Sequence, residues 1–204
     1  MSAKGLADNN EIGKIFFQDG FSMAKEHLAE GVTETNLIQL MSSAYEAVDG
    51  LIDSFRNRCL REGLAIDCQK GCAWCCHQAI LASTQEILLI TRYLTSHLTA
   101  GQQQVVQRKA REREAVTGAM NLREFLQTLH PCPFLIDDSC LIYPVRPMAC
   151  RCYLSADMES CLAQYHQPEN NKIMAALYNL PLLAGRSINE GIRAVLMQHR
   201  IITS

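Results

Sequence analysis

Ten cysteines stand among 204 residues, and eight of them crowd into two stretches. The first reads Cys68-Gln69-Lys70-Gly71-Cys72-Ala73-Trp74-Cys75-Cys76-His77, a C-x3-C-x2-C-C spacing. Two or three residues between thiolates let a loop curl until its sulfurs converge on one ion and its backbone N–H groups point at them. Gly71 suits such a loop because it tolerates positive φ. The second stretch supplies Cys132, Cys140, Cys150 and Cys152. A closed tetrahedral site can draw ligands from remote segments, and metal binding then ties the fold together. The candidate ligands are therefore Cys68, Cys72, Cys75, Cys76, Cys132, Cys140, Cys150 and Cys152, with Cys161 as an alternative to Cys152. Vicinal Cys75 and Cys76 cannot easily aim at one ion. Either one ligates while the other packs, or they serve different sites. Cys59 lies on an apolar helix stripe and reads as a core thiol. His77 reads as a loop histidine bonded to backbone, with metal ligation as its other role.

Around the second stretch the chain resembles a known family, the YkgJ-type cysteine-cluster proteins, described as zinc- or iron-chelating domains. Their hallmark is C-x2-C-x2-C-C, then Cys-x-Phe, then Cys-x-Ile-Tyr-x-x-Arg-Pro-x-x-Cys-Arg. Cys132-Pro133-Phe134 matches the middle element. Cys140, Ile142, Tyr143, Arg146, Pro147, Cys150 and Arg151 match the last in order. The gap from Cys68 to Cys72 is one residue longer than the hallmark. The resemblance runs from about Cys68 to Tyr153 and implies a metal centre. A related group, the flagellin lysine N-methylases, carries a similar cluster, so the resemblance also admits an enzyme that modifies a protein side chain.

Two centres suit this donor set. Thiolates can close one or two tetrahedral zinc sites, or four of them can hold an iron–sulfur cluster. The C-x3-C-x2-C loop and Cys132-Pro133 tilt the reading slightly toward iron–sulfur. The same loop spacing occurs in radical-SAM enzymes, but the residues before Cys68 read as helix and no alternating strands follow, which argues against that barrel. Trp74, the single tryptophan, is placed to shield the centre from water. Arg146 and Arg151 are cofactor-binding candidates, since they can offset thiolate charge or bind an acidic ligand. Hydrogen bonding to loop carbonyls is their alternative role. Tyr143 reads as a core residue of the hairpin described below.

The rest of the chain must position these sulfurs. Hydrophobic residues make up 48 % and charged residues 20 %, and the formal net charge is −2, an ordinary globular balance. Length and composition give one domain over residues 1–204, mainly α, with a metal-binding region of about 67–153 flanked by helices. An amphipathic helix is expected from Glu11 to Glu30, ended by Gly31. A second, capped by Thr33 and ended by Gly63, carries Leu37, Met41, Ala44, Val48, Leu51, Phe55 and Cys59 along one stripe. Ser83 and Glu86 form a capping box for a third, with Ile87, Ile90, Leu94 and Leu98 on one face and Gly101 as its end. A polar helix follows over Gln102–Thr117, then a short one from Asn121 to about Leu129. Four prolines between His130 and Tyr153 forbid a long helix there. Phe134–Ile136 and Cys140–Tyr143 read instead as a hairpin turning at Asp137-Asp138-Ser139. Helices resume at Asn171–Leu183 and, capped by Ser187 with Glu190, at Ser187–Arg200.

The expected partner is a metal ion, with a protein partner left open. Nucleic acid is not expected, because Glu112 and Glu114 interrupt the basic run Arg108, Lys109, Arg111 and Arg113. Nor is a membrane: Met1–Gly20 carries Lys4, Asp8, Glu11, Lys14 and Asp19 and no long apolar run, so it is neither signal nor anchor. A cytoplasmic setting follows, where structural disulfides are rare. Phosphate-cradling loops, nucleophile elbows and paired carboxylates are missing from the sequence, which puts a metal-binding module ahead of a redox or modifying enzyme.

Overall fold

A computed structural model describes residues 9–69, 71–170 and 172–199. Helices dominate these residues, and a single two-stranded hairpin completes the regular structure. The helices are α1 (Asn9–His27), α2 (Glu34–Glu62), α3 (Thr84–His97), α4 (Ala100–Thr117), α5 (Leu122–Gln127), α6 (Met148–Arg151), α7 (Met158–His166) and α8 (Asn179–Gln198). Two short 3₁₀ turns lie at Trp74–His77 and Tyr143–Val145. The hairpin strands are β1 (Leu135–Ile136) and β2 (Ser139–Cys140). The mainly helical class with an irregular, cysteine-rich middle is what the sequence led one to expect.

Local chemistry explains the helix boundaries. Thr33 caps α2 by accepting from the Asn36 N–H at 3.1 Å, and Gly63 ends it with φ of 68°. The capping boxes of Ser83 with Glu86 and Asn121 with Glu124 form as expected. Asp137 and Asp138 both take positive φ (46° and 53°), which makes a two-residue turn of the kind that matches strand twist. Leu135 then pairs with Cys140, and Ile136 with Ser139.

Several boundaries differ from the sequence reading. Gly101 does not end α3; it sits in the first turn of α4, because Thr99 and Gln102 form their own capping box there. The buried face of α3 is Gln85, Glu86, Leu89 and Ile90, while Ile87 is exposed. The second strand stops at Cys140, and Tyr143 enters a 3₁₀ turn with an exposed side chain. One helix, α8, replaces the two expected near the end. It starts at Asn179 with Pro181 in its first turn, where a missing N–H costs nothing. Ser187 is a buried residue inside it, not a cap. The expected ends at Asn171 and Arg200, and the charges Lys4 and Asp8, lie outside the described residues. Helix α7 was not expected; Asp157 caps it by accepting from the Glu159 and Ser160 N–H groups at 2.9 and 3.1 Å.

The core lies between α1, α2 and α8, with α3 and α6 closing its side. Leu40, Met41, Ala44, Val48, Ile188, Ile192, Val195 and Leu196 are all buried there with Ala24 and Leu28. The stripe of α2 thus packs within the chain. Helices α1 and α8 approach at backbone distance: a Cβ on Gly191 would lie 2.1 Å from the Phe17 carbonyl oxygen, and one on Gly20 would lie 2.2 Å from that of Ile188. Among the described residues, no helix is long and apolar enough to cross a membrane.

Candidate metal centre

Glu86 anchors the segment that carries the second cysteine stretch. Its buried carboxylate accepts from the Ser83 N–H and hydroxyl (2.8 and 2.9 Å), the Tyr45 hydroxyl (3.1 Å) and the Met148 N–H (2.7 Å). One side chain thereby joins α2, the start of α3 and the start of α6. Arg151, at the end of α6, adds a second joint. Its side chain is fully buried; it pairs with Asp49 of α2, donates to the Pro144 carbonyl at 2.7 Å, and stacks 4.2 Å above the Tyr45 ring. Arg146 donates to the Tyr143 carbonyl at 2.8 Å, lies 3.8 Å above the Tyr143 ring, and approaches Asp49 at 3.9 Å. Both arginines donate to a loop carbonyl within the fold.

The two cysteine stretches meet at the backbone. The Cys132 N–H donates to the Cys76 carbonyl at 2.8 Å, and the His130 N–H to that of His77 at 2.9 Å. This short ladder lays the start of the hairpin segment along the 3₁₀ turn. Cys76, Cys132, Cys140 and Cys150 lie near enough to this ladder for their sulfurs to act on one another electrostatically. Cys150 is pushed up to about 12, first by burial and then by the neighbouring Cys132, Cys76 and Cys140 sulfurs. Cys140 is pushed up to about 11 by burial, with Cys132 and Cys76 adding to it. Burial also raises Cys132, with Cys76 beside it. Cys76 moves the other way, down to about 7, because the Cys75 thiol hydrogen-bonds its sulfur.

Backbone donors reach several sulfurs. The N–H two residues on is directed at Cys72 (from Trp74), at Cys132 (from Phe134) and at Cys140 (from Ile142), and in each case it lowers a pKa that burial has raised. An N–H aimed at sulfur favours the thiolate, the form a metal needs. Cationic groups add to this. Arg146 acts on Cys140 and Cys150, while Lys109 and Arg113 act on Cys132.

The remaining cysteines differ in how they meet this group. The Cys72 and Cys161 sulfurs act to raise Cys68, and those of Cys161 and Cys76 act to raise Cys72. Cys75 is strongly raised, first by its hydrogen bond to Cys76 and then by burial; Cys150 and Cys68 act on it too. Cys152 belongs to the hydrophobic core. A Cβ on Gly185 of α8 would lie 2.3 Å from its sulfur. Cys59 is buried on α2, as expected of a core thiol. The His77 Nδ1 is 3.1 Å from the Ala73 carbonyl, the backbone bond the sequence suggested. Trp74 packs against Tyr165 of α7, ring centroids 5.1 Å apart.

Every cysteine among the described residues is a free thiol. Among these residues, no three His, Cys, Asp or Glu side chains stand in a ready-made coordination shell. The donor chemistry nonetheless fits a thiophilic ion: sulfurs from two stretches, backbone N–H groups directed at Cys132 and Cys140, and cations alongside. Cys161 is the group the sequence reading placed second, behind Cys152. Its signal is positional, four residues before Tyr165 on the face of α7 that meets Trp74.

The family model for "CxxCxxCC: Putative zinc- or iron-chelating domain" matches residues 67–174. That span begins at the first cysteine stretch, runs past the second, and includes α7 with Cys161. No curated protein and no solved structure matches the chain. The match covers just over half of the 204 residues, and the chain belongs to the CxxCxxCC family of zinc- or iron-chelating domains.

Proposed function

We propose that this protein is a metal-binding module whose centre is held by Cys76, Cys132, Cys140 and Cys150. The observation that carries this reading is the meeting of the two cysteine stretches, with the Cys132 N–H on the Cys76 carbonyl at 2.8 Å; electrostatic coupling of the Cys150 sulfur to those of Cys132, Cys76 and Cys140 supports it. Four thiolates drawn from segments more than fifty residues apart can close a tetrahedral site and join the irregular middle to the helices. Zinc would lend such a site structural rigidity; an iron–sulfur cluster, the finer reading, would add electron transfer. The chain's own part is the same in both cases. It strips water from the sulfurs by burial, aims the Phe134 and Ile142 N–H groups at Cys132 and Cys140, and sets Arg146, Lys109 and Arg113 nearby to offset their charge.

The test is purification without oxygen, followed by iron, sulfide and zinc content per chain. Matching iron and sulfide in a brown preparation supports the cluster; zinc without colour supports the tetrahedral site. Cys132→Ser is expected to lose metal, while Cys59→Ser keeps the wild-type content. A metal-free preparation, or equal loss from both variants, overturns the assignment.

A further inference from the structure

A row of hydrogen bonds runs from α4 through the hairpin to the first cysteine stretch, and a lysine begins it. Bonded and non-bonded pairs alternate along an antiparallel ladder. The Leu141 N–H donates to the Phe134 carbonyl at 2.9 Å, so the next pair, Leu135 with Cys140, is a non-bonded one. The Leu135 N–H and carbonyl therefore point away from β2. Leu135 is buried, and both groups need partners within the protein. The N–H donates to the Cys132 carbonyl at 3.0 Å, and the Cys132 N–H donates in turn to the Cys76 carbonyl at 2.8 Å. The Leu135 carbonyl accepts from the Lys109 ammonium at 2.5 Å.

Helix α4 holds that ammonium in place. At its start, Gln103 Nε2 donates to the Leu94 and Leu98 carbonyls, both at 3.0 Å, which fixes α4 on the end of α3. Val106, three residues before Lys109 and on the same face, is buried. Arg113, four residues after it, lies 5.7 Å from the Phe125 ring centroid. This face of α4 is thus turned into the protein. Arg108, the neighbour of Lys109, pairs with Glu112 in solvent. Among the described residues no carboxylate pairs with Lys109. Its charge goes to a backbone carbonyl, and a charged donor makes the stronger kind of hydrogen bond.

We propose that Lys109 is a positioning residue for the metal centre. Its bond to Leu135 fixes the hairpin on which Cys132 and Cys140 stand and, through the Cys132 peptide, the 3₁₀ turn that carries Cys76. This rests on the metal-binding reading above and names a residue outside both cysteine stretches that serves it by geometry, beyond its charge.

The experiment uses the reduced, metal-free full chain and reads two quantities. NMR follows hydrogen exchange of the Cys132, Leu135 and Leu141 amides. A chromogenic chelator competing for Zn²⁺ gives the affinity. Lys109→Met keeps most of the aliphatic stem and removes the donor. It is expected to keep the far-UV circular dichroism of wild type, to speed exchange at these amides about tenfold, and to weaken Zn²⁺ binding about 10- to 100-fold. Lys109→Arg keeps a charged donor and should return both quantities to within about threefold of wild type. That rescue decides the matter even where the Met variant disturbs α4; an Arg variant as impaired as the Met variant overturns the proposal. Unchanged exchange in Lys109→Met also overturns it, whatever the Zn²⁺ affinity, because Lys109 then acts at most as a charge. So does faster exchange at wild-type affinity, since the hairpin is then held for another purpose. These results leave the metal-binding reading standing. Wild type that takes no Zn²⁺ overturns that reading, and the role of Lys109 toward a metal falls with it.

Discussion

Replacing Arg151 with Met should destabilise the metal-free protein by about 2 kcal/mol without changing how much metal it holds. The side chain is fully buried, so its charge must be answered within the fold. Asp49 and the Pro144 carbonyl do so, and the Tyr45 ring lies 4.2 Å below. Truncating one partner of a buried ion pair costs about 3–5 kcal/mol. Two features here reduce that. Asp49 keeps 46 % of its side chain in solvent and rehydrates when left alone, and the Arg151 Nε finds no partner among the described residues, an expense that Met removes. Met also fills most of the vacated volume. The remainder is about 2 kcal/mol, or roughly 4–8 °C in Tm for a chain of this size. Urea unfolding of the reduced, metal-free protein, followed by far-UV circular dichroism, measures it. Arg151→Lys, which keeps the charge but loses the planar fork, should fall between. Should Arg151→Met unfold like wild type when metal-free yet fail to hold metal, the guanidinium serves the bound group and the brace is refuted.

Gly191→Ala should loosen the α1–α8 pair, because the new methyl would lie 2.1 Å from the Phe17 carbonyl oxygen; a loss of about 1–3 kcal/mol is expected in the same urea experiment. Metal binding at neutral pH should release about three to four protons per ion at the Cys76 site, since Cys132 is raised and Cys140 and Cys150 stand at about 11 and about 12; an indicator dye in weak buffer reads this, and release of one proton or none would contradict it. The metal-free protein should also lose stability in alkali. Thiols raised above their unfolded value of about 8.5 stabilise fully below that pH and lose the contribution as pH climbs toward about 12. Cys76, lowered to about 7, runs the opposite way: its contribution is present above about 8.5 and fades as pH falls through about 7.

What the sequence disclosed was local. Thr33, Ser83 with Glu86, and Asn121 with Glu124 are caps complete within four residues, and each appears where expected. The hairpin turn at Asp137-Asp138 is local in the same way. Errors arose where a local signal had two meanings. Ser187 and Glu190 resemble a helix start, yet the same spacing occurs inside α8, where Glu190 pairs with Arg186 at 2.9 Å. Gly101 resembles a helix stop but sits in a helix's first turn. Side-chain direction met the same limit at Cys150 and Cys152. Two positions apart on a helical turn, they point about 200° from each other; the Cys132, Cys76 and Cys140 sulfurs act on Cys150, while Cys152 meets Gly185 of α8. Spacing alone holds no record of that rotation. The docking of α7 through Trp74 and Tyr165 is likewise a tertiary contact, between residues about ninety positions apart.

X-ray absorption at the metal edge of the anaerobically purified chain tests the central claim most directly. A first shell made only of sulfur, at about 2.3 Å for zinc or iron, which loses its sulfurs on Cys132→Ser and equally on Cys76→Ser, is the expected result. A shell dominated by nitrogen or oxygen, or one that survives either substitution intact, would mean that the two cysteine stretches do not share a metal.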